Sequence, residues 1–139
     1  MWTYEHTIVT TASPEAVWGS CADPAVWPEW DEEIRELQLD GPFGAGVTGT
    51  MHLYGLPPLA FAVTEATERR GLSTETALED GTVIRFVHRL TDRADGGTRI
   101  VHRVELEGPS AGDPLGGEVT GPVPAAMRRL GAVAAARGR

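Results

Sequence analysis

Between residues 33 and 106 the sequence contains six strand-like segments in a row, and only short turns separate them. The segments are residues 33–40, 48–54, a strand that begins with 59–63, 72–78, 82–90 and 98–106. Parallel strands need a crossover of about a dozen residues or more, whereas turns such as GPFGAG, GLPP, EDG and DRADGG are shorter. The sequence therefore predicts an antiparallel meander.

A further strand and two short helices precede the meander. Residues 2–10, WTYEHTIVT, alternate so that Trp2, Tyr4, His6 and Ile8 share one face. Ser13 is a good N-cap and Pro14 suits a first helical position, which predicts a helix over 14–21. The stretch DPAVWPEW repeats this start signal, and we expect Pro28 to end the second helix almost at once.

The last part of the chain changes character. Residues 109–124 are rich in Gly and Pro, so a helix there should be broken or kinked. Residues 124–137 are helical in pattern, with an apolar stripe of Met127, Leu130, Val133 and Ala134. The stripe suits a lid over a pocket or ordinary core packing, and core packing is favoured. Helices from both ends of the chain can thus cover one face of the sheet.

The composition limits the classes of partner. The chain has 139 residues, a single cysteine (Cys21) and a formal net charge of −8. Nucleic-acid binding depends on neutralising phosphates with Lys and Arg, so this charge disfavours such a partner. No apolar run approaches the roughly 18 residues of a membrane span, and the first residues do not resemble a signal peptide. We expect one cytoplasmic domain over residues 1–139, without an internal disulfide.

Four stretches, taken in order, carry a resemblance to a known superfamily: ASPEAVW, DPAVWPEWD, GAGVTGTMHL and GGTRIVHRVELEGP. With the order of the elements, they resemble the START-like or SRPBCC superfamily over about residues 4–136, and within it the polyketide cyclase/dehydrase type. The resemblance implies an α+β helix-grip fold, as in pollen allergens. In that fold a curved seven-stranded antiparallel sheet surrounds a C-terminal helix, and two short helices follow the first strand.

The resemblance also implies a class of function. Members bind hydrophobic small molecules in a cavity between sheet and helix; some catalyse aromatisation, cyclisation or dehydration, while others only carry or sense a ligand. The family is generally metal-free, and no cofactor is implied. This chain departs from the pattern where the usual long C-terminal helix is interrupted by Gly and Pro.

Two nearly repeated strands, FVHRL at 86–90 and IVHRV at 100–104, each place a histidine among apolar residues. The hairpin register that sets Arg85 opposite Glu105 makes the apolar faces coincide and sets His88 opposite His102. Their Cβ atoms would then lie about 5 Å apart. His6 lies on the apolar face of the first strand, which the resemblance places beside the last strand. We therefore expect three inward histidines on neighbouring strands.

Three interpretations of these histidines remain open. Each imidazole can satisfy a buried polar group of the protein. The histidines can instead form the polar end of an apolar pocket, where they orient a ligand or move protons. A metal site is the least favoured interpretation, because no His-x-x-x-His or Cys spacing supports it.

Other candidates are the aromatic and apolar residues of the predicted pocket. Trp27 and Trp30 can wall the pocket, or can simply anchor the second helix to the sheet, which is the more frequent role. We expect His52 and Tyr54 to face outward, Glu65 to face inward only if its strand bulges, and residues 31–33 to form a solvated acidic turn. The remaining pocket candidates are Met51, Phe61, Phe86 and Met127.

The sequence thus favours a protein that binds a polyketide-like or aromatic molecule. If it is an enzyme, cyclisation with loss of water is the expected chemistry, with His88 and His102 as acid and base. The ligand-binding residues would be His6, Trp27, Trp30, Met51, Phe61, Phe86 and Met127. The alternatives are a non-catalytic carrier or sensor of the same fold, and an interaction protein with an exposed apolar patch. The oligomeric state is left open, with a homodimer among the alternatives.

Overall fold

One antiparallel sheet of seven strands organises the molecule. The computed structural model describes residues 1–138, and the strand order is β1-β7-β6-β5-β4-β3-β2. The strands are β1 (Trp2–Thr10), β2 (Ile34–Leu39), β3 (Thr48–Leu53), β4 (Leu59–Thr67), β5 (Gly71–Ala77), β6 (Val83–Asp92) and β7 (Thr98–Glu107). The predicted meander is confirmed, and the ends of the fully predicted strands differ by no more than two residues.

The helices lie before and after the meander. They are α1 (Pro14–Cys21), a 3-10 turn (Pro24–Val26), α2 (Trp27–Trp30), α3 (Asp113–Thr120) and α4 (Val123–Arg137). The side chain of Ser13 caps α1 as predicted, because it accepts a hydrogen bond from the backbone N–H of Ala16 at 3.2 Å. The prediction for Pro28 was wrong. This proline lies in the first turn of α2, where an N–H has no intrahelical acceptor to lose.

The C-terminal part of the chain forms the two helices α3 and α4, with a break between Thr120 and Val123. The Gly and Pro content of residues 109–124 predicts such a break. Gly116 lets α3 approach β1 closely, since a Cβ at this position would collide with the indole ring of Trp2. Helix α4 packs against β1, α1 and α2, and its residues Met127, Leu130 and Ala134 are buried in the core. None of the helices within residues 1–138 is long and apolar enough to cross a membrane.

The sheet has an inner face, which packs against the helices, and an outer face. On β6 and β7 the inner face carries apolar residues and the two histidines, namely Ile84, Phe86, His88, Leu90, Ile100, His102, Val104 and Leu106. The outer face carries a ladder of ion pairs. Arg85 contacts Glu75 on β5 at 2.7 Å and Glu105 on β7 at 2.6 Å, while Arg103 contacts Glu105 at 2.7 Å and Glu5 on β1 at 3.1 Å. Charges therefore alternate across four neighbouring strands.

A β-bulge in β4 changes the direction of Glu65. The register with β5 shifts between Val63 and Glu65, so that Val63 pairs with Thr74 on the inner face and Glu65 pairs with Ser73 on the outer face. Glu65 there accepts a hydrogen bond from Arg89 at 2.6 Å. The sequence analysis linked a bulge in this strand to an inward-facing Glu65. The bulge is present, but that link was wrong, because the bulge turns Glu65 outward.

Glu105 is the central anion of the outer ladder, and its neutralisation should be measurable. Its side chain is 16% exposed, and hydrogen bonds from Arg103 and then Arg85 lower its pKa. We expect Glu105→Gln to reduce the free energy of unfolding by about 1–2 kcal/mol, since one carboxylate serves two guanidinium groups. Urea unfolding at low and high salt measures the effect, which should shrink as salt screens the charges.

Glu107→Gln is the matched control, because Glu107 is exposed at the end of the same strand. This control should change the free energy of unfolding by less than about 0.5 kcal/mol. Equal effects from the two substitutions would show that the ladder contributes no more than ordinary surface charge.

Candidate ligand site

The three histidines lie side by side on the inner face, in one row across three strands. His102 on β7 pairs with His6 on β1 and with His88 on β6. The rings of His88 and His102 are stacked, with centroids 4.0 Å apart and an interplanar angle of 29°. The cross-strand pairing predicted from the hairpin, including Arg85 opposite Glu105, is confirmed.

The two central imidazoles are buried without polar partners. His88 and His102 are each 6% exposed. Within the described residues, Nε2 of His88 and both ring nitrogens of His102 have no hydrogen-bond partner. A buried polar group without a partner costs about 1–3 kcal/mol, and native proteins contain few of them. This arrangement does not fit the first interpretation, in which each imidazole satisfies a protein group.

Burial also fixes the charge of the pair. It lowers the pKa of His88 from 6.5 to about 4. The pKa of His102 is lowered well below its ordinary value, first by burial and then by the repulsion that a second positive charge would meet from protonated His88 or His6. Both imidazoles are therefore neutral near pH 7. A neutral imidazole offers one N–H donor and one acceptor nitrogen, so the pair can bind a hydroxyl or a carbonyl oxygen.

Trp27 and Trp30 are held by the end of α1. Their indole N–H groups donate hydrogen bonds to the carbonyls of Cys21 at 2.7 Å and Ser20 at 3.1 Å. Both carbonyls belong to the last residues of α1, where no N–H of the helix donates a hydrogen bond to them. These hydrogen bonds join α2 to α1, whereas the anchoring role predicted for the tryptophans was between α2 and the sheet and stays a prediction.

The rings of the two tryptophans differ in what they contact. Trp30 meets His88 edge-on, with centroids 5.9 Å apart and an angle of 76°. Trp27 lies 6.1 Å from Phe61 and 6.5 Å from Phe43. Trp30 therefore covers His88, while Trp27 packs against Phe61 and Phe43. Their role as pocket walls stays a prediction.

The other candidates lie on the same inner face at different depths. Phe61 and Met127 are buried, whereas Met51, Phe86 and His6 are half-buried. The ring of Phe86 lies 5.9 Å from that of His102. The inner face is therefore partly open to solvent beside the histidine pair. His52 pairs with Glu36 on the opposite face from Met51, and Tyr54 is exposed, as predicted.

Sequence reasoning missed two residues near this site. Thr74 lies on the inner face of β5, directly opposite Phe86, and is buried. Its only signal was the alternation of β5, since threonine is ordinary in a strand. Asp31 was assigned to a solvated turn, but it is half-buried after Trp30, and its pKa is raised first by burial. That assignment was wrong for Asp31.

Two further observations concern the reactivity of the single cysteine and the binding of a metal ion. Cys21 is buried, and burial raises the pKa of its thiol to about 12, so it is not a reactive thiolate. No three His, Cys, Asp or Glu side chains within residues 1–138 are arranged to hold a metal ion.

Two open grooves lie away from the histidines. One, of about 420 Å³, follows the outer-face ladder around Arg85 and Arg103. The other, of about 460 Å³, lies between Val9 on β1 and Ala132 on α4. Neither groove is lined by His88 or His102.

Comparisons with known proteins agree with this architecture. A family model described as "Polyketide cyclase / dehydrase and lipid transport" matches residues 1–137. The structure is similar to that of protein MLL2253 from Mesorhizobium loti, with a TM-score of 0.75, 18% identity, and coverage of 94% of this chain and 95% of that one. It is also similar to the crystal structure of Ara h 8.0201, with a TM-score of 0.77, 13% identity, and coverage of 96% and 97%. Among curated proteins, none matches the chain in sequence. The Ara h 8.0201 similarity supports the predicted helix-grip fold.

Proposed function

Because the chain belongs to the polyketide cyclase / dehydrase and lipid transport family, we propose that it binds a hydrophobic, oxygen-bearing small molecule at the histidine row. A polyketide-like or aromatic compound fits this description. The observation that carries the proposal is the buried pair His88 and His102, with three ring nitrogens that lack partners within the described residues. A ligand oxygen would supply the missing partner and offset the cost of burying these nitrogens.

The surroundings of the pair support a ligand that is mostly apolar. Phe86 is half-buried beside His102, and Trp30 closes the other side against His88. An aromatic ring placed against Phe86 would bring an oxygen substituent toward the imidazoles. Ligand sites are commonly of this kind, with apolar walls and a few convergent polar groups.

Catalysis is the finer part of the proposal. In a cyclisation with loss of water, one imidazole accepts the proton of an activated C–H, and the freed electron pair forms the new carbon–carbon bond with a ketone carbon. The π pair of that C=O bond moves to its oxygen, which takes up a proton and becomes a hydroxyl. In the dehydration, a second C–H proton is accepted as the C=C bond forms, and the leaving oxygen takes a proton and departs as water. Two positive charges on rings 4.0 Å apart would repel each other, so only one imidazole of the pair would carry a proton at a time.

A non-catalytic carrier or sensor is the second candidate function. The lowered pKa of His88 favours it, because an imidazole with a pKa of about 4 is a weak base. A molecule that co-purifies with the protein and is released unchanged would support the carrier. A released molecule that has lost water relative to the bound one would support the enzyme. Native mass spectrometry of the purified protein distinguishes these outcomes.

Binding is tested with naphthoresorcinol, a hydrophobic aromatic with two hydroxyl groups. We expect the His88→Phe/His102→Phe double variant to bind it at least about tenfold more weakly than the wild-type protein, since hydrogen bonds to the ligand oxygens are lost. Isothermal titration calorimetry at neutral pH gives both dissociation constants.

His52→Phe is the matched control, because it removes a histidine from the outer face of the same sheet. This variant should bind naphthoresorcinol as the wild-type protein does. If the double variant also keeps full affinity, the histidine row is not the ligand site.

A further inference from the structure

Charged side chains avoid the inner face of the sheet. The chain contains no lysine, and among the described strands and helices every Arg, Asp and Glu side chain is exposed or lies on the outer face. The buried positions of α1 and α4 are uncharged as well; they are Val17, Ser20, Cys21, Val123, Met127, Leu130, Gly131 and Ala134. The inner face therefore has hydrogen-bonding groups but no fixed charge.

The cations of the molecule are engaged elsewhere. Arg85, Arg89 and Arg103 pair with carboxylates on the outer face. Arg129 of α4 pairs with Glu32 at the surface. No arginine of these pairs is directed to the histidine row, so none of them can neutralise an anion there.

The two central imidazoles of the row also supply no positive charge. His88 and His102 are kept neutral by burial, and His6 lies beside His102 at the end of the row. Asp31, which follows Trp30, is a half-buried carboxyl. An ionised oxygen at the histidines would lose its hydration without gaining a counter-charge, which costs several kcal/mol in proteins. A hydroxyl, ketone or amide would gain hydrogen bonds at a much smaller cost.

We propose that the histidine row selects ligands that are electrically neutral at the end that reaches it, and that it rejects carboxylates and phosphate esters. This inference rests on the proposed ligand site and adds its charge selectivity. Within a family described by both polyketide chemistry and lipid transport, it favours neutral ketones and phenols over ionised fatty acids and phospholipids as the molecule seated at the histidines.

A symmetric pair of probes tests the selectivity. Terephthalamide and terephthalate have nearly the same shape, and each carries the same group at both ends, so neither can turn a different group inward. At about pH 7.5 the carboxyl groups, with ordinary pKa values near 4, are ionised. We expect terephthalamide to bind the wild-type protein at least about tenfold more tightly than terephthalate in ligand-observed NMR titrations.

His6→Arg adds a permanent cation, because His6 is half-buried on the inner face and pairs directly with His102. This variant should gain affinity for terephthalate by about tenfold. Thr7→Arg is its control, since the neighbouring residue points to the outer face, and it should leave both affinities unchanged.

The outcomes separate the two proposals. Equal affinities of the wild-type protein for amide and carboxylate would overturn the charge selectivity and leave the ligand site standing. Binding of terephthalamide that the His88→Phe/His102→Phe variant retains in full would place the ligand elsewhere and overturn both proposals. Failure of both terephthalamide and naphthoresorcinol to bind would also overturn both.

Discussion

At about pH 4, the His88→Phe/His102→Phe double variant should exceed the wild-type protein in free energy of unfolding by about 3 kcal/mol from the change at His88 alone. Burial holds the pKa of His88 at about 4 in the folded protein, against an ordinary value of 6.5. Above pH 6.5 both the folded and the unfolded chain are neutral at this residue. As the pH falls from 6.5 to about 4, only the unfolded chain takes up the proton, so the wild-type protein loses stability through this window.

His102 adds to the loss, because its pKa is also lowered well below the ordinary value. Phenylalanine binds no proton, so the double variant keeps the stability that the wild-type protein loses. Carboxylates such as Glu65 and Glu105 lose their arginine partners' support at low pH too. They are present in both proteins, and their contribution cancels in the difference.

Urea unfolding between about pH 7 and pH 4 measures the two stabilities. His52→Phe again serves as the control, and its stability should follow the wild-type curve. If the double variant and the wild-type protein lose stability in parallel over this range, the histidines are not buried in neutral form. Together with weaker binding of naphthoresorcinol, greater stability of the variant would show that the protein sacrifices stability for its site.

Much of the fold could be predicted because local rules determine it. The register of the β6–β7 hairpin follows from two facts in the sequence: the alternation of FVHRL and IVHRV, and the charges of Arg85 and Glu105. The break in the C-terminal helix follows from the Gly and Pro content of residues 109–124. Neither inference needs knowledge of how distant elements pack.

The predictions for Pro28 and Glu65 were wrong because each depends on a detail that the local pattern does not determine. Pro28 was expected to end a helix. Proline is tolerated in the first turn of a helix but disrupts the interior, so an error of one or two residues in the helix boundary reverses the prediction. The bulge that turns Glu65 outward has no glycine to announce it. Alternation alone cannot reveal such a shift, because one inserted residue reverses every later side chain.

The candidate site could be predicted only in part, because the alternation of a strand determines which face a side chain lies on but not what it contacts there. Strand parity places His6, His88 and His102 on one face. Whether their nitrogens find partners depends on how α2 is seated over β6, which is a matter of tertiary packing. The indole of Trp30 contacts His88 while its N–H is held by the carbonyl of Ser20 at the end of α1, far from His88 in sequence.

Replacing Trp30 by Ala should therefore have a large effect on both stability and the histidine pair. The substitution deletes a buried indole and leaves the carbonyl of Ser20 without its donor. We expect the free energy of unfolding to fall by about 3–5 kcal/mol, as for other large-to-small changes of buried aromatic residues. Removal of the indole also lets water reach His88, so the pKa of His88 should rise from about 4 toward 6.5. Urea unfolding gives the stability, and NMR titration of the imidazole protons gives the pKa.

Trp27→Ala is the matched control for this prediction. Its indole has an equivalent hydrogen bond to Cys21, but its ring contacts Phe61 rather than His88. Both variants should lose stability, and only Trp30→Ala should change the titration of His88. If Trp30→Ala is too unstable to titrate, Trp30→Leu removes the aromatic ring and keeps more of the buried volume. An unchanged His88 pKa in a folded Trp30 variant, or the same rise in Trp27→Ala, would mean that α2 as a whole shields the histidines and that Trp30 has no separate role.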